Sequence, residues 1–277
     1  MLPFPRLLII VTSTIFTVMV IAQQHAMPSA GDIRTNPRDG AEMVYIPAGD
    51  FLMGSGADEG TWLGKNSPGA EVLATEQPQH TIKLDGFWIY KVGVTAGQYR
   101  KFCRATQRAM PDLAGGAAAW QENEPIGNVN WFEADAYAQW AGGMLPSEAQ
   151  WEKAARGTDG RRYPWGNDWD ANKCLCPYNN VNLQPGSTAG AGPYGVCDMA
   201  GSKWTWCRDW YDPHYYATSP AENPTGPATG IRKALRGGST NTWSGGLYFR
   251  STFRDAASPP GYRFPWFGIR VVLPESR

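Results

Sequence analysis

The residue types that most often carry out chemistry are sparse in this chain, and cysteine is the most prominent of them. Five cysteines occur, at positions 103, 174, 176, 197 and 207, and none follows Cys207. The three histidines, His25, His80 and His214, are scattered, so no histidine-rich iron or zinc site is indicated. The sequence contains no Gly-x-Ser-x-Gly, P-loop or dinucleotide-binding fingerprint. The common nucleophile and nucleotide chemistries are therefore not predicted.

Aromatic and arginine side chains are concentrated between residues 240 and 266, in a stretch that also contains Gly245, Gly246 and Pro259-Pro260. Aromatic rings and guanidinium groups supply large, rigid contact areas and directional donors, the mixture found at binding hot spots. A loop-rich fold also has to fill its core with large side chains. At this stage both interpretations, a binding surface and a packed core, stay open.

The N-terminus has the pattern of a secretory signal peptide. Arg6 precedes an uncharged run from Leu7 to Ala22, and small residues stand before Gln23. We expect residues 1–22 to be the signal peptide, with an uncleaved membrane anchor as the alternative. Residues 23–40 are polar and are expected to form a linker, and the protein is expected to be periplasmic or secreted. Disulfides are then expected among the cysteines, with a local bridge within 174–207.

The composition indicates a packed but loop-rich domain. Glycine (32) and proline (22) make up about a fifth of the 277 residues, above the roughly 12% of average proteins, while 42% are hydrophobic. Lys+Arg and Asp+Glu are 25 each, which argues against a nucleic-acid partner. A membrane partner is expected only through an uncleaved signal segment.

The coarse pattern of elements predicts an α+β domain over residues 41–277. Residues 43–55 are expected to form a β-hairpin, residues 56–79 a long loop, and residues 80–92 a strand. Thr95, Asn130 and Ser147 are the predicted N-caps of three helices, and the last two begin with capping-box patterns. The remaining chain is expected to form short strands and loops, closing on a strand over 267–273.

Several motifs, in order, resemble the formylglycine-generating-enzyme family, also called sulfatase-modifying-factor domains. They are IPAG at 46–49, VNW at 129–131, LPSEAQWEKAARG at 145–157, PWGN at 164–167, DMAG at 198–201, LRGGS at 235–239 and GIRV at 268–271. The resemblance covers residues 41–273 and implies a loop-rich, C-type-lectin-like fold with little regular secondary structure.

The resemblance fails at the family's copper site. Enzymes of the family bind copper(I) through two cysteines near the C-terminus and oxidise a substrate cysteine to formylglycine. The corresponding positions are Gly246 and Ser251, or Leu247 and Thr252 with a shifted gap. Soft thiolate ligands suit copper(I), so copper and copper-dependent formylglycine formation are not expected here.

The family's calcium sites are partly retained. One would use Asn172, the Lys173 carbonyl and an oxygen from residues 179–182, with Asn180 the chosen candidate. The second would use Asp198 with the carbonyls of Gly201 and Lys203, but its expected glutamate is Thr205. Calcium is a possible structural ion, because it takes six to eight oxygen ligands that often include carboxylates.

The resemblance also places the C-terminal aromatic stretch in a substrate cleft. The candidate cleft residues are Trp204, Trp243, Tyr248, Arg250, Arg254, Tyr262 and Trp266. We expect an exported protein that acts in the maturation or oxidation of a peptide or peptide-derived metabolite, as exported pyoverdine-maturation relatives do. The alternative is a non-enzymatic module of the same fold that binds a small molecule or a protein. The catalytic residues, if any, are not indicated.

Overall fold

The computed structural model describes residues 27–60, 70–112, 119–181, 183–243 and 245–275. Their central element is a four-stranded antiparallel sheet in the order β1-β2-β5-β10. Its strands are β1 (Ile33–Thr35), β2 (Glu42–Ile46), β5 (Phe87–Tyr90) and β10 (Val272–Pro274). The N-terminal and C-terminal strands therefore meet in one sheet, with β5 between them.

Strands β2 and β5 of this sheet are buried on both faces, and their successive side chains point to opposite sides. Met43, Tyr45 and Tyr90 pack on one side with helices α2 (Ala96–Thr106) and α3 (Trp131–Trp140). Val44, Ile46, Phe87 and Ile89 pack on the other side with helix α4 (Glu148–Arg156). The two core clusters thus explain why β2 and β5 are hydrophobic at almost every position.

Two further sheets complete the described part of the chain. Strands β3 (Gly49–Met53) and β4 (His80–Leu84) form an antiparallel pair. The third sheet has the order β8-β7-β6-β9, in which β6 and β9 run parallel. Its strands are β6 (Trp204–Trp210), β7 (Lys233–Arg236), β8 (Asp255–Ser258) and β9 (Phe267–Gly268).

The three predicted helix starts are confirmed. Thr95, Asn130 and Ser147 each accept a hydrogen bond from the backbone N–H three residues later, and each helix has a reciprocal capping box. Gly157 ends α4 at a φ of 68°, a left-handed value that glycine adopts without strain. These local sequence signals therefore determine where the three helices begin.

Three predictions about strands and one about a loop are wrong. Residues 43–55 contain two strands, but β2 and β3 belong to different sheets and do not form a hairpin. Residues 80–92 and 267–273 each contain two strands, again in separate sheets. The predicted loop 56–79 contains helix α1 (Ala70–Thr75). In each case the pairing depends on distant residues, which a local hydrophobic pattern does not reveal.

The predicted linker is also wrong where the structure describes it, because residues 31–40 are part of the domain. Strand β1 pairs with β2, and the Asn36 amide donates hydrogen bonds to the Tyr90 hydroxyl and the Ala141 carbonyl. Asp39 is buried and accepts hydrogen bonds from the hydroxyls of Tyr90 and Tyr137. The signal-peptide prediction lies outside the described residues. Within those residues, no helix is long and apolar enough to cross a membrane.

The predicted disulfides are not formed, since all five cysteines are free and buried. Cys103 and Cys207 belong to two different core clusters, whereas Cys174 and Cys176 lie together in a third. A disulfide requires the Cα atoms of its two cysteines to lie about 4.4–6.8 Å apart. The distribution of the cysteines over separate core clusters does not favour such short separations. Only the last pair consists of neighbouring thiols.

Candidate functional site

An open cleft of about 450 Å³ lies beside strand β6, between helix α1 and the segment that follows β7. Its size is within the roughly 300–1,000 Å³ typical of small-molecule sites. Aromatic side chains dominate its lining. The lining residues are Val72, Thr75, Trp204, Tyr211, Asn241, Thr242, Trp243, Tyr248, Phe253, Arg254 and Asp255.

Packing between rings fixes the inner part of the cleft. The ring of Phe253 lies 4.6 Å from that of Tyr248 and 5.9 Å from that of Trp204, measured between centroids. These separations are within the range of favourable aromatic pairs. Strand β6 holds Trp204, whose backbone N–H donates to the Trp266 carbonyl. The inner wall is therefore a preformed apolar surface.

The outer rim contains Trp243, which is 68% exposed. Its ring meets the edge of Tyr178 at a centroid distance of 5.3 Å, and the Tyr178 hydroxyl accepts a hydrogen bond from the Gly245 N–H. An exposed indole fixed by one ring contact is well placed to cover a ligand.

Arg254 lies at the cleft floor, but its charge is paired. Its guanidinium donates to both carboxylate oxygens of Glu148, at 3.0 and 2.8 Å, and to the Thr75 carbonyl at 2.7 Å. It also stacks over the rings of Tyr211 and Tyr216. A ligand therefore meets a neutralised ion pair here and not a free cation.

The ion pair belongs to a buried network that joins helix α4 to strand β7. Arg236 donates to Glu152 at 2.5 Å and to Glu148 at 3.4 Å, and Arg156 donates to Glu152 at 3.0 Å. Although burial disfavours its charged form, the pKa of Glu148 is held below its usual range by Arg254 and then by Arg236. Glu148, Glu152 and Arg156 of the LPSEAQWEKAARG motif thus belong to the buried network that lies beneath the cleft.

Asp209 stands at the edge of this network and differs from the other carboxylates. It is 3% exposed, and its carboxylate accepts the Glu148 backbone N–H at 3.2 Å. Burial and the neighbouring Glu148 charge raise the pKa of Asp209 to about 7. Its proton is therefore exchangeable near neutral pH.

Three of the predicted cleft residues lie elsewhere. Arg250 is fully buried and forms a two-point ion pair with Glu76, with both distances 2.7 Å, and a Glu59 carboxylate oxygen lies 3.5 Å from one of its nitrogens, so its charge is paired in the core and not in the cleft. Tyr262 and Trp266 both stack on Phe264, outside the cleft, and Tyr262 is 55% exposed. Trp204, Trp243, Tyr248 and Arg254 do line the cleft.

The positions that correspond to the copper ligands do not fit copper. Gly246 packs on the Trp169 ring, and Leu247 begins a short 3-10 turn. Ser251 is buried, and the Thr252 hydroxyl accepts hydrogen bonds from Ser55 and Arg250. These positions offer no thiolate, so copper(I) has no soft ligand pair there.

The second predicted calcium group does not fit calcium either. A cavity of only about 10 Å³ lies among Asp198, Lys203 and Arg270. That volume holds at most one water. The Lys203 ammonium, which donates to the Pro265 carbonyl at 2.9 Å, and the Arg270 guanidinium already bring two positive charges to it. The Gly201 N–H donates to the Gly237 carbonyl at 2.7 Å.

The first predicted calcium group is brought together by the fold. The Asn172 side-chain oxygen accepts the Asn180 N–H at 3.4 Å, and the Lys173 carbonyl faces the backbone of Gly190. The nearby carboxylate of Asp170 caps the Asn172 N–H at 3.0 Å. Calcium at these neutral oxygens stays a prediction.

Sequence reasoning missed several lining residues. Val72 and Thr75 come from the helix in the predicted loop, whereas Asn241, Thr242, Phe253 and Asp255 lie in the aromatic stretch that the resemblance places in the cleft but were not chosen as candidates. Tyr211 directly follows the last residue of β6 and was not among the candidate cleft residues. Only the tertiary structure brings α1 to the cleft.

Comparisons with known proteins show the family and the fold of the chain. The model of the sulfatase-modifying factor enzyme 1-like domain matches residues 29–274. A formylglycine-generating enzyme from Streptomyces coelicolor is 33% identical over 260 residues, which cover 73% of this chain and 80% of the relative.

Two solved structures share the fold over 88% of this chain and 98% of their own chains. PvdO from Pseudomonas aeruginosa has a TM-score of 0.71 at 23% identity, and variable protein 1 from Treponema denticola has 0.65 at 20% identity. The predicted α+β, C-type-lectin-like fold is confirmed. The chain belongs to the sulfatase-modifying-factor family, whose members include the formylglycine-generating enzymes.

Proposed function

We propose that this is an exported member of the family that binds a peptide or peptide-derived molecule in the aromatic cleft and acts in its maturation or oxidation, without a copper–cysteine centre. The observation that carries the proposal is the preformed cleft of Trp204, Tyr248 and Phe253 under the exposed Trp243. The export component rests on the N-terminal pattern of residues 1–22.

The chemistry of the lining favours a ligand with flat apolar groups and polar amides. The rings supply apolar contact, and Asn241 and Thr242 add polar groups at the lining. Because Glu148 already pairs with Arg254, the floor does not select strongly for a ligand anion. A peptide with an aromatic residue matches this combination, and a formylglycine-generating enzyme among the relatives supports a peptide-like substrate.

The proposal can be tested with a panel of blocked tripeptides whose central residue is tyrosine, tryptophan, leucine or lysine. Affinity is measured by titration calorimetry for the wild type, Trp243→Ala and Tyr262→Ala. Trp243→Ala should weaken binding of the aromatic peptides about tenfold or more, the loss typical of a hot-spot aromatic residue.

Tyr262→Ala is the matched control, because Tyr262 is an exposed aromatic residue outside the cleft. It should leave the affinity unchanged. Equal losses in both variants, or no binding of any aromatic peptide by the wild type, would refute the proposed site.

A non-enzymatic binding module is the second candidate, and the cleft chemistry favours it in one respect. Among the described residues, the lining contains no cysteine, histidine or lysine, and its arginine is ion-paired. Mass spectrometry of a bound peptide after incubation in air separates the two candidates. A covalent change in the peptide supports maturation, whereas tight binding without any change supports the binding module.

A further inference from the structure

We propose that a second cavity, between strand β1 and the end of helix α3, binds a small organic carboxylate that has an apolar body. This arginine cavity has a volume of about 600 Å³, is lined in part by Arg34 and Arg38, and shares no lining residue with the aromatic cleft. Its volume lies within the roughly 300–1,000 Å³ typical of small-molecule sites. The site is therefore separate from the cleft and does not depend on the proposed function.

Hydrogen bonds fix the walls of the arginine cavity. Arg34 lies opposite Met43 in the antiparallel pair of β1 and β2, so both side chains extend from the same face of the sheet. The Asn36 amide donates to the Ala141 carbonyl at 2.9 Å, and the Asn36 side-chain oxygen accepts the Arg38 N–H at 2.8 Å. The segment that carries both arginines is thus held against the end of α3, and the cavity is preformed.

Arg34 supplies a positive charge that no described group neutralises. Its guanidinium carbon lies 4.3 Å from the centre of the Trp88 ring, while its Nε is buried without a hydrogen-bond partner. Burial lowers the pKa of Arg34, and within the described residues no carboxylate offsets this effect. A buried donor left unpaired is costly, and an anion in the cavity would remove that cost.

Arg38 brings a second guanidinium to the cavity. Its Nε donates to the Trp140 carbonyl at 3.2 Å, and its guanidinium carbon lies 5.4 Å from the centre of the Trp140 ring. In the part of the chain that the structure describes, its two terminal nitrogens have no acceptor. Guanidinium groups recognise carboxylates through pairs of parallel N–H bonds, so these donors suit a carboxylate.

Two carboxylates close to the cavity are engaged elsewhere. Asp39 is buried, and its carboxylate accepts hydrogen bonds from the hydroxyls of Tyr90 and Tyr137. Asp135 accepts a hydrogen bond from the Gln139 amide at 2.7 Å. Neither lines the cavity, and among the described residues its lining contains no aspartate or glutamate. The lining therefore has two positive charges and no negative charge.

The rest of the lining determines which kind of anion fits. Pro37, Met43, Trp140 and Leu273 supply apolar surface next to the two guanidinium groups. An inorganic anion would leave this surface in contact with water, whereas the body of an organic acid would cover it and gain from its burial. The chemistry of the cavity therefore favours an apolar carboxylate over phosphate or sulfate.

The test uses octanoate as the probe and octanamide as its uncharged counterpart of nearly the same shape. Titration calorimetry on the full chain measures both affinities at neutral pH. Octanoate should bind at least about tenfold more tightly than octanamide, because only the carboxylate forms charge-assisted hydrogen bonds with the arginines. Equal affinities, or no saturable binding of octanoate, would overturn the assignment.

Variants locate the binding. Arg34→Gln and Arg38→Gln should each weaken octanoate binding about tenfold and leave octanamide binding nearly unchanged. Arg104→Gln is the matched control, because Arg104 is an exposed arginine of α2 that lines neither cavity, and it should change neither affinity. Trp243→Ala, in the aromatic cleft, should also leave octanoate binding unchanged. An equal loss in Arg104→Gln, or a loss confined to Trp243→Ala, would place the anion elsewhere and overturn the assignment.

Two measurements on the wild type remain decisive if a glutamine variant fails to fold. Added salt should weaken octanoate binding relative to octanamide binding, because it screens the attraction between the carboxylate and the guanidinium groups. Inorganic phosphate at the same concentration as octanoate should not displace it. Salt-independent binding of octanoate, or its displacement by phosphate, would contradict the proposed site.

Discussion

The carboxylates beneath the cleft differ in their protonation because their partners differ. Glu148 faces two guanidinium groups and stays charged, whereas Asp209 accepts a backbone N–H and lies next to the Glu148 charge. A pKa raised to about 7 means that the folded chain holds a proton that the unfolded chain, with a pKa near 3.8, releases. The stability contributed by this proton is present at acidic pH and lost as pH rises.

The Asp209→Asn variant tests this at the residue scale. In the wild type, Asp209 should lower the free energy of unfolding between pH 4 and pH 7 by up to about 1.4 kcal/mol for each pH unit. Asparagine keeps an oxygen for the Glu148 N–H but does not titrate, so the variant should lack this slope. Urea unfolding at intervals of half a pH unit measures both curves. Parallel curves would show that Asp209 does not take up the proton.

The arginines show why residue-level predictions from sequence were only half correct. Arg250 and Arg254 have the same residue type and a similar local composition, yet one pairs with Glu76 in the core and the other reaches the cleft floor. The difference depends on which carboxylate the fold brings near each guanidinium. Glu76 and Glu148 are far from both in sequence, so no local pattern indicates the pairing.

At the scale of elements, the capping box of α4 positions Glu148 and Glu152 for the network. The Ser147 hydroxyl accepts the Gln150 N–H at 3.1 Å, and the Gln150 side chain accepts the Ser147 N–H at 3.0 Å. Ser147→Ala should lower the free energy of unfolding by about 1 kcal/mol, the usual cost of losing such a cap. Chemical denaturation measures it. The exposed Ser29→Ala is the control and should change stability by less than about 0.5 kcal/mol. A loss no larger than in the control would mean that the cap does not stabilise α4.

The helices were predictable because their start signals are local, and the sheets were not because their pairing is distant. The N-caps Thr95, Asn130 and Ser147 each form a capping box with the residue three positions later, so four residues of sequence suffice to predict where each helix begins. In contrast, β2 has its partner β5 about forty residues away, and the last described strand, β10, completes the same sheet. Two strands joined by a short connection look like a hairpin in sequence, as residues 43–55 do, although β2 and β3 pair in different sheets.

At the scale of the whole molecule, the chain has the family fold but not the cysteine pair of the family's copper site. The chain keeps the cleft beside β6 and the buried charge network under it, but the copper-ligand positions are occupied by glycine, leucine, serine and threonine. The motifs quoted from the sequence mark structural positions such as Glu148, Glu152 and Arg236, so they predict the fold better than the activity. The function proposed for the chain therefore depends on recognition of a ligand by the aromatic rings of the cleft.

The most direct test of that claim is the affinity of the wild-type chain for a blocked tyrosine tripeptide, measured after removal of metals by a chelator and again after addition of copper(I). We predict the same affinity in both states and about a tenfold loss in Trp243→Ala in both. Binding that appears only with copper would contradict it, because the metal and not the aromatic cleft would then hold the ligand.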